Sequence, residues 1–286
     1  MTADTATFEA PSGKGAADEN FPVGSFLLPA RLRPHVATFY GFARAIDDVA
    51  DSPDLAPDDK VARLDAFEQA ILGHNGDPAL EKAHRMRVSL TATSITPRHC
   101  QDLVSAFKQD AVKLRYDDWA DLIDYCNRSA APVGRYLLDL HGEDAALYPA
   151  SDALCNALQV INHLQDCADD YATLDRVYLP GDWMAAAGMT VAELGAGAAS
   201  PAVRTVLDRC IDGCRDLLAD ARALPGPLKS RRLGAESAVI VRIAERLVRH
   251  LARRDPLAER VVLSKPAAAW CAVDGLVSLL AGRFRT

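Results

Sequence analysis

The sequence predicts an all-helical protein, on three observations. Apolar residues recur at helical spacing from Pro29 almost to the end of the chain. Ala and Leu are abundant, whereas Phe, Trp and Tyr together make only 6% of the residues, a bias towards helix over sheet. No stretch shows a convincing strand alternation. The 286 residues are 49% hydrophobic and 25% charged, which suits a large core and argues against wholesale disorder. There is no repeat at a fixed period and no Pro/Gly/Ser-rich linker between halves. The expectation is one helical domain over residues 21–286 behind a mobile tail of residues 1–20.

The elements follow from punctuation. A first helix over 31–51 stops at Ser52-Pro53, because proline cannot continue a helix interior. The next runs over 57–73, closed by the segment Gly73 to Pro78, and a third over 78–94 ends before Thr96-Pro97. Helices over 97–114 and 117–141 follow. Tyr148-Pro149 opens a helix over 150–173, and Leu179-Pro180-Gly181 breaks the chain after it. Ser200-Pro201, a capping residue followed by a first-turn proline, starts 200–223. The stretch Leu224 to Pro227 separates it from 230–253, and a last helix covers 266–283.

Charge narrows the function classes. The formal net charge is −7 with dispersed basic residues, a poor footprint for extended nucleic-acid binding. The run Lys229-Ser230-Arg231-Arg232 reads as a solvated helix start, or else as a site for a phosphate or an anionic lipid head. No apolar run approaches the ~20 residues of a membrane span. Residues 1–20 are polar, with no charged-then-apolar signal pattern. Seven cysteines without a C-x-x-C pair read as reduced core thiols of a cytoplasmic protein. Cys210 and Cys214 share a helix face, but no histidine stands near them, so packing is expected rather than zinc.

Two aspartate clusters interrupt this apolar pattern. On the first helix Tyr40, Arg44, Asp47 and Asp51 fall within roughly 60° of one another, with Asp48 at the edge. Around them lie Phe39, Phe42, Ala43, Ile46 and Val49. On the helix over 150–173, Gln159, Asn162, Asp166 and Asp170 share an arc of roughly 80°. Carboxylates at i,i+4 repel, no Lys falls nearby, and apolar surroundings add several kcal/mol of desolvation unless something compensates. Mg²⁺ is such a compensator, since it takes carboxylate oxygens and shares its shell with substrate phosphates. The expected ligands are Asp47, Asp48, Asp51, Asn162, Asp166 and Asp170, on two helices facing each other across a cavity and gripping a diphosphate through the metal. Arg44 and Arg176 are candidate phosphate clamps or structural ion pairs. Tyr40, Phe39, Phe42 and Tyr136 are candidate pocket walls or plain core. No G-x-G-x-x-G turn occurs, so no nicotinamide is expected.

Together, Phe26-Leu27-Leu28-Pro29, Tyr40-x-x-x-Arg44-x-x-Asp47-Asp48-x-x-Asp51, Gln159-x-x-Asn162-x-x-x-Asp166-x-x-x-Asp170 and Arg176-Val177-Tyr178-Leu179-Pro180 resemble the squalene/phytoene synthase family, in its order and spacing from about residue 20 to 280. The resemblance implies a single-domain isoprenoid-synthase-type helical bundle with a central cavity. It also implies that Asp47, Asp51, Asp166, Asp170 and Tyr40 act in catalysis, and that Arg44, Arg176, Gln159 and Arg128 bind the diphosphate. Glu19 to Pro29, Ser129-Ala-x-Pro132-Val133-Gly134-Arg135 and Val262-Leu263-Ser264-Lys265 are most similar to the family's hopanoid-cluster, hydroxysqualene-forming branch. That likeness implies conversion of presqualene diphosphate and water into hydroxysqualene and diphosphate. It places the chain between an enzyme that makes presqualene diphosphate and a flavoprotein that reduces the alcohol. Loose association with the inner membrane surface would suit so greasy a substrate. The chain departs from the wider family at Asn20 to Val23, at Gln165 and at Arg128. Those departures point away from condensation of two prenyl diphosphates followed by reduction. That condensation, as in squalene, dehydrosqualene or phytoene synthases, stays as the alternative, and a non-catalytic assembly factor on the same fold as another.

Overall fold

The computed structural model describes residues 8–9 and 28–284. Of the segments singled out above, the tail apart from Phe8 and Glu9, and the stretch from Asn20 through Leu27, lie outside the described residues. Helix dominates, as the sequence predicts, and the chain divides into two compact units at Lys113/Leu114.

The first unit holds α1 (Arg33–Asp51), α2 (Pro57–Leu72), α3 (Glu81–Thr93) and α4 (Arg98–Asp110). Each start and stop has a local cause. Proline occupies the first turn of α1 and α2, where its missing N–H would find no helical partner anyway. Gly73, at φ 82°, closes α2 in the left-handed conformation that glycine adopts without strain. α1 packs on the other three helices, and α2 packs on α3 and α4. Phe42 and Ile46 of α1 meet Leu64 and Phe67 of α2 in a core closed to water, with Phe42 edge-on to Phe67 at 6.2 Å. Lys108 of α4 reaches back to Asp65 at 2.5 Å and Glu68 at 2.6 Å of α2.

The second unit runs β1 (Arg115–Tyr116), α5 (Trp119–Ser129), α6 (Ala131–His141), α7 (Tyr148–Gln165), α8 (Cys167–Leu174), β2 (Val177–Pro180), α9 (Gly181–Ala187), α10 (Pro201–Ala221), α11 (Arg231–Leu251) and α12 (Lys265–Leu280). α7 is its central rod, packed on α5, α6, α10 and α11, and α12 packs on α11. Three expectations are corrected. The single helix over 117–141 is two, because Pro132 in the first turn of α6 forces a new start after Ala130. The helix over 150–173 is broken at Asp166, whose backbone (φ −107°, ψ 8°) leaves the helical region. A small parallel pair, β1 with β2, forms where no strand was expected. It is too short for periodicity to reveal.

The cysteines behave as packing residues. None is disulfide-bonded, all but Cys155 are buried, and burial pushes the Cys167 thiol up to about 12. Lys229-Ser230-Arg231-Arg232 is a helix start: the Ser230 hydroxyl caps α11, and the backbone N–H groups of Lys229 and Ser230 donate to the Glu143 carboxylate. Among the described residues no helix is long and apolar enough to cross a membrane.

Small residues set the closest helix approaches. At Gly275 of α12 a methyl group would lie 2.9 Å from the Ala238 carbonyl oxygen and 3.0 Å from the Val239 Cα, both backbone atoms of α11. Backbone cannot swing aside as a side chain can. Gly275→Ala is therefore expected to destabilise the protein by about 1–3 kcal/mol, read as a lower midpoint in thermal unfolding.

Candidate functional site

The first aspartate cluster occupies the last two turns of α1. Arg44 bridges two carboxylates, with Nη1 at 2.9 Å from Asp47 and Nη2 at 2.7 Å from Asp48. Asp48 is almost closed off at 8% side-chain exposure, while Asp47 keeps 29%. Asp47's carboxyl is pushed up to about 8, by burial first and then by the charge of Asp51; Arg44 opposes this, and Asp110 and Asp48 add to it. One guanidinium thus stands among four carboxylates, three from α1 and one from the end of α4. Asp110 gave no signal in the sequence, being a lone acid at a helix end. Lys60 also departs from the expectation that no lysine accompanies the cluster: from α2 it donates to the Ala50 carbonyl at 2.8 Å, beside Asp51. The side chain capping the last turn of α1 is therefore cationic, which suits that end of a helix. Tyr40 is half-buried, whereas Phe39 and Phe42 belong to the core of the first unit.

The second cluster straddles the α7–α8 junction. Helical hydrogen bonds persist across it, from Asp166 N–H to the Asn162 carbonyl at 2.9 Å and from Asp170 N–H to the Asp166 carbonyl at 2.8 Å. The side chains at 159, 162, 166 and 170 hence still advance along one side, but the rod is locally distorted at Asp166 and the ideal arc no longer applies. After α8 the chain reverses through Asp175, a left-handed residue at φ 51°. Asp175 accepts from Arg115 at 2.6 Å. The reversal brings Arg176 and Tyr178 back onto α7. Arg176, just before β2, and Tyr178 within it are both buried.

What they meet there is His163, a residue the sequence reading passed over. Tyr178 stacks on its ring at 3.5 Å between centroids, and Tyr125 and Tyr116 extend the aromatic cluster. Its Nε2 lies 3.2 Å from Gln159 Nε2 and its Nδ1 4.0 Å from Asp170. Burial, and then the charge of Arg176, lower its pKa to about 3, so the ring is neutral at physiological pH. His163 stands one helical turn from both Gln159 and Asp166, which is the signal that could have found it.

Other candidates have local duties. Arg128 donates to Asp124 one turn earlier at 2.8 Å. Arg135 forms a two-pronged pair with Asp152 at 2.8 and 2.6 Å and lies over the Tyr148 ring, the arrangement of a structural ion pair. Tyr136 is wholly buried core. Gln165 is buried and donates to the Val261 carbonyl, tying α7 to the segment before α12.

The chemistry of the first cluster suits a divalent cation, because Asp48, Asp51 and Asp110 gather hard oxygen donors close enough to Asp47 to push its carboxyl up. Among the described residues no three His, Cys, Asp or Glu side chains converge tightly enough to cage a metal by themselves. Mg²⁺ uses one or two carboxylates, a kind of donor this cluster offers, and completes its shell with waters and substrate phosphates.

The profile of the squalene/phytoene synthase family matches residues 15–267. The chain is 46% identical over 274 residues to a hydroxysqualene synthase of Rhodopseudomonas palustris, covering 96% of this chain and 93% of that one. It is 45% identical to a hydroxysqualene synthase of Sinorhizobium fredii, covering 86% and 84%. Among solved structures it resembles the crystal structure of squalene synthase HpnC from Alicyclobacillus acidocaldarius, with a TM-score of 0.71 and 31% identity over 81% of this chain and 87% of that one.

Proposed function

The chain belongs to the squalene/phytoene synthase family, and from that premise we propose that it acts as a hydroxysqualene synthase, converting presqualene diphosphate and water to hydroxysqualene and diphosphate. The observation that carries the chemistry is the carboxylate cluster around Asp47, with Asp48 and Asp47 bridged by Arg44 and with Asp51 and Asp110 close enough to push the Asp47 carboxyl up. Likeness to the two hydroxysqualene synthases over most of the chain supports the choice of reaction.

Asp47, Asp48 and Asp51, with Asn162, Asp166 and Asp170, would hold Mg²⁺ together with the substrate diphosphate. When bound, the metal supplies positive charge that stabilises the departing diphosphate. The chain's own residues do the rest. Arg44 is already fixed by Asp47 and Asp48, so its guanidinium needs little reorganisation to face a phosphate. Arg176 is a buried cation whose position packing settles in advance: it stands just before β2 and beside His163, and its backbone N–H donates to the Asp170 carbonyl at 3.2 Å. His163 is neutral and pinned between Gln159 and Tyr178, so it orients the amide of Gln159 without adding charge. Departure of diphosphate leaves a carbocation; water adds to carbon, loses a proton, and the alcohol results. Such a role places the chain after an enzyme that makes presqualene diphosphate and before a flavoprotein reductase. Loose contact with a membrane surface would deliver the substrate.

The test is a product assay with purified protein and Mg²⁺. Presqualene diphosphate in ¹⁸O-labelled water is expected to give hydroxysqualene carrying the label, and farnesyl diphosphate alone is expected to give no product. Formation of a C30 or C40 hydrocarbon from a prenyl diphosphate alone would replace this reading with head-to-head condensation.

A further inference from the structure

α12 is amphipathic the wrong way round. At about 100° per residue, Ala269, Trp270, Val273, Leu276, Val277 and Leu280 share an arc of about 120°. All six are exposed, Trp270 to 69% and Leu280 to 88%. Asp274 and Ser278 of the helix point the other way, towards α11. Arg242 of α11 reaches Asp274 at 3.0 Å and donates to the Ser278 hydroxyl at 2.8 Å, and Ser278 has no exposure at all. A helix packed on a soluble protein ordinarily buries its apolar stripe. Here the polar side chains fasten the helix down and a contiguous apolar strip faces water, which marks an interaction surface rather than scattered surface hydrophobics.

Charge says what the strip meets. The arc carries no acid, and exposed Lys265 and Arg283 stand at its two ends. Along one flank, the exposed Arg246, Arg249 and Arg253, on α11 and the turn that ends it, lie within about 60° of one another. Arg246, Arg249 and Arg242 are close enough to α12 for their charges to act on the Cys271 thiol. Asp274, the acid of α12, is taken up by Arg242. An apolar strip with a basic rim, in a chain of net charge −7, is the anatomy of an interfacial helix. Trp270 sits at one edge of the arc, the place where an indole bridges apolar and polar layers. A second copy docked antiparallel through the same strip would bring one arginine flank against another, a like-charge contact.

We propose that the exposed face of α12 lies in the interface of an anionic lipid bilayer, with Lys265, Arg283, Arg246, Arg249 and Arg253 over the headgroups. This assignment rests on α11 and α12 alone and stands whatever reaction the aspartate clusters catalyse. The full chain is mixed with vesicles of phosphatidylglycerol and phosphatidylcholine, or of phosphatidylcholine only, and floated on a density gradient. The protein should float with the anionic vesicles, lose that binding as salt is raised, and float poorly with the neutral ones. Brominated lipid should quench Trp270, an effect missing in Trp270→Phe. The double change Val273→Ser, Leu280→Ser alters two exposed positions and is expected to reduce vesicle binding by about tenfold or more, with an unchanged unfolding midpoint. The proposal is overturned if the unaltered protein stays at the bottom with anionic vesicles, or if the double variant floats equally well. It is also overturned if sedimentation shows a dimer that the double change dissolves, since the face would then belong to a second copy. None of these readouts uses turnover, so failure here and failure of the product assay are separable.

Discussion

Replacing Asp47 by Asn is expected to lower turnover by about 100- to 1,000-fold, the usual loss when one group stabilising transition-state charge is removed, while leaving the metal-free fold no less stable. The two halves of this result have one cause. Asp47's carboxyl lies among Asp51, Asp110 and Asp48 with one guanidinium to balance it, and its pKa is raised from 3.8 to about 8. Between those values the unfolded chain has released this proton and the folded chain keeps it. The folded state then binds more protons, so stability contributed by this group falls as pH rises through the window and is gone above about 8. Asn does not titrate and can still accept from Arg44. Thermal midpoints measured in chelator should therefore show an advantage of Asp47→Asn over the unaltered protein that widens from about pH 5 to about pH 8. Mg²⁺ with inorganic diphosphate should raise the midpoint of the unaltered protein and leave the variant nearly unmoved. Intact turnover in Asp47→Asn would remove the cluster from the reaction.

The first cluster was legible because everything that makes it unusual lies on one helix. Arg44, Asp47, Asp48 and Asp51 are three or four residues apart, so helical geometry alone places them together, and apolar neighbours announce burial. Asp110 and Lys60 were not legible, because they reach the end of α1 from α4 and α2, and sequence spacing carries no information about that. The second cluster shows the same division. Gln159 and Asn162 lie on an unbroken helix, and the periodicity placed them correctly. The break at Asp166 has no proline or glycine to announce it. The fold of Arg176 and Tyr178 back onto His163 depends on Asp175 adopting a left-handed turn and on a two-residue strand pairing with β2, neither of which has a period to detect. By contrast, the split between α5 and α6 is written in the sequence at Pro132, which stands in the first turn of α6. The reversed polarity of α12 was missed for a subtler reason. Periodicity reports that a helix has an apolar side, and only packing shows which side faces the protein.

The second acidic motif supplies its own control, because three of its carboxylates stand within five residues and differ in surroundings. Asp166 lies at the α7–α8 junction and Asp170 opposite His163 at 4.0 Å, both half-buried, whereas Asp169 is exposed. If the motif were merely a solvated acidic face, Asn at each of the three positions would have equal and small effects, since surface substitutions rarely exceed about 0.5 kcal/mol. If Asp166 and Asp170 hold Mg²⁺ with the diphosphate, Asp166→Asn and Asp170→Asn should each reduce turnover by about 100-fold or more, and the Mg²⁺ concentration needed for half-maximal rate should rise. Asp169→Asn should leave both quantities unchanged. The backbone argues that these substitutions spare the fold. The junction is held by the N–H of Asp166 on the Asn162 carbonyl and by the N–H of Asp170 on the Asp166 carbonyl, bonds an asparagine makes equally well. A loss of activity with unchanged circular dichroism and unfolding midpoint would therefore belong to the carboxylate charge. Equal activity in all three variants would return the motif to the surface. Loss in Asp169→Asn alone would mean that the reacting side of α8 is the opposite one.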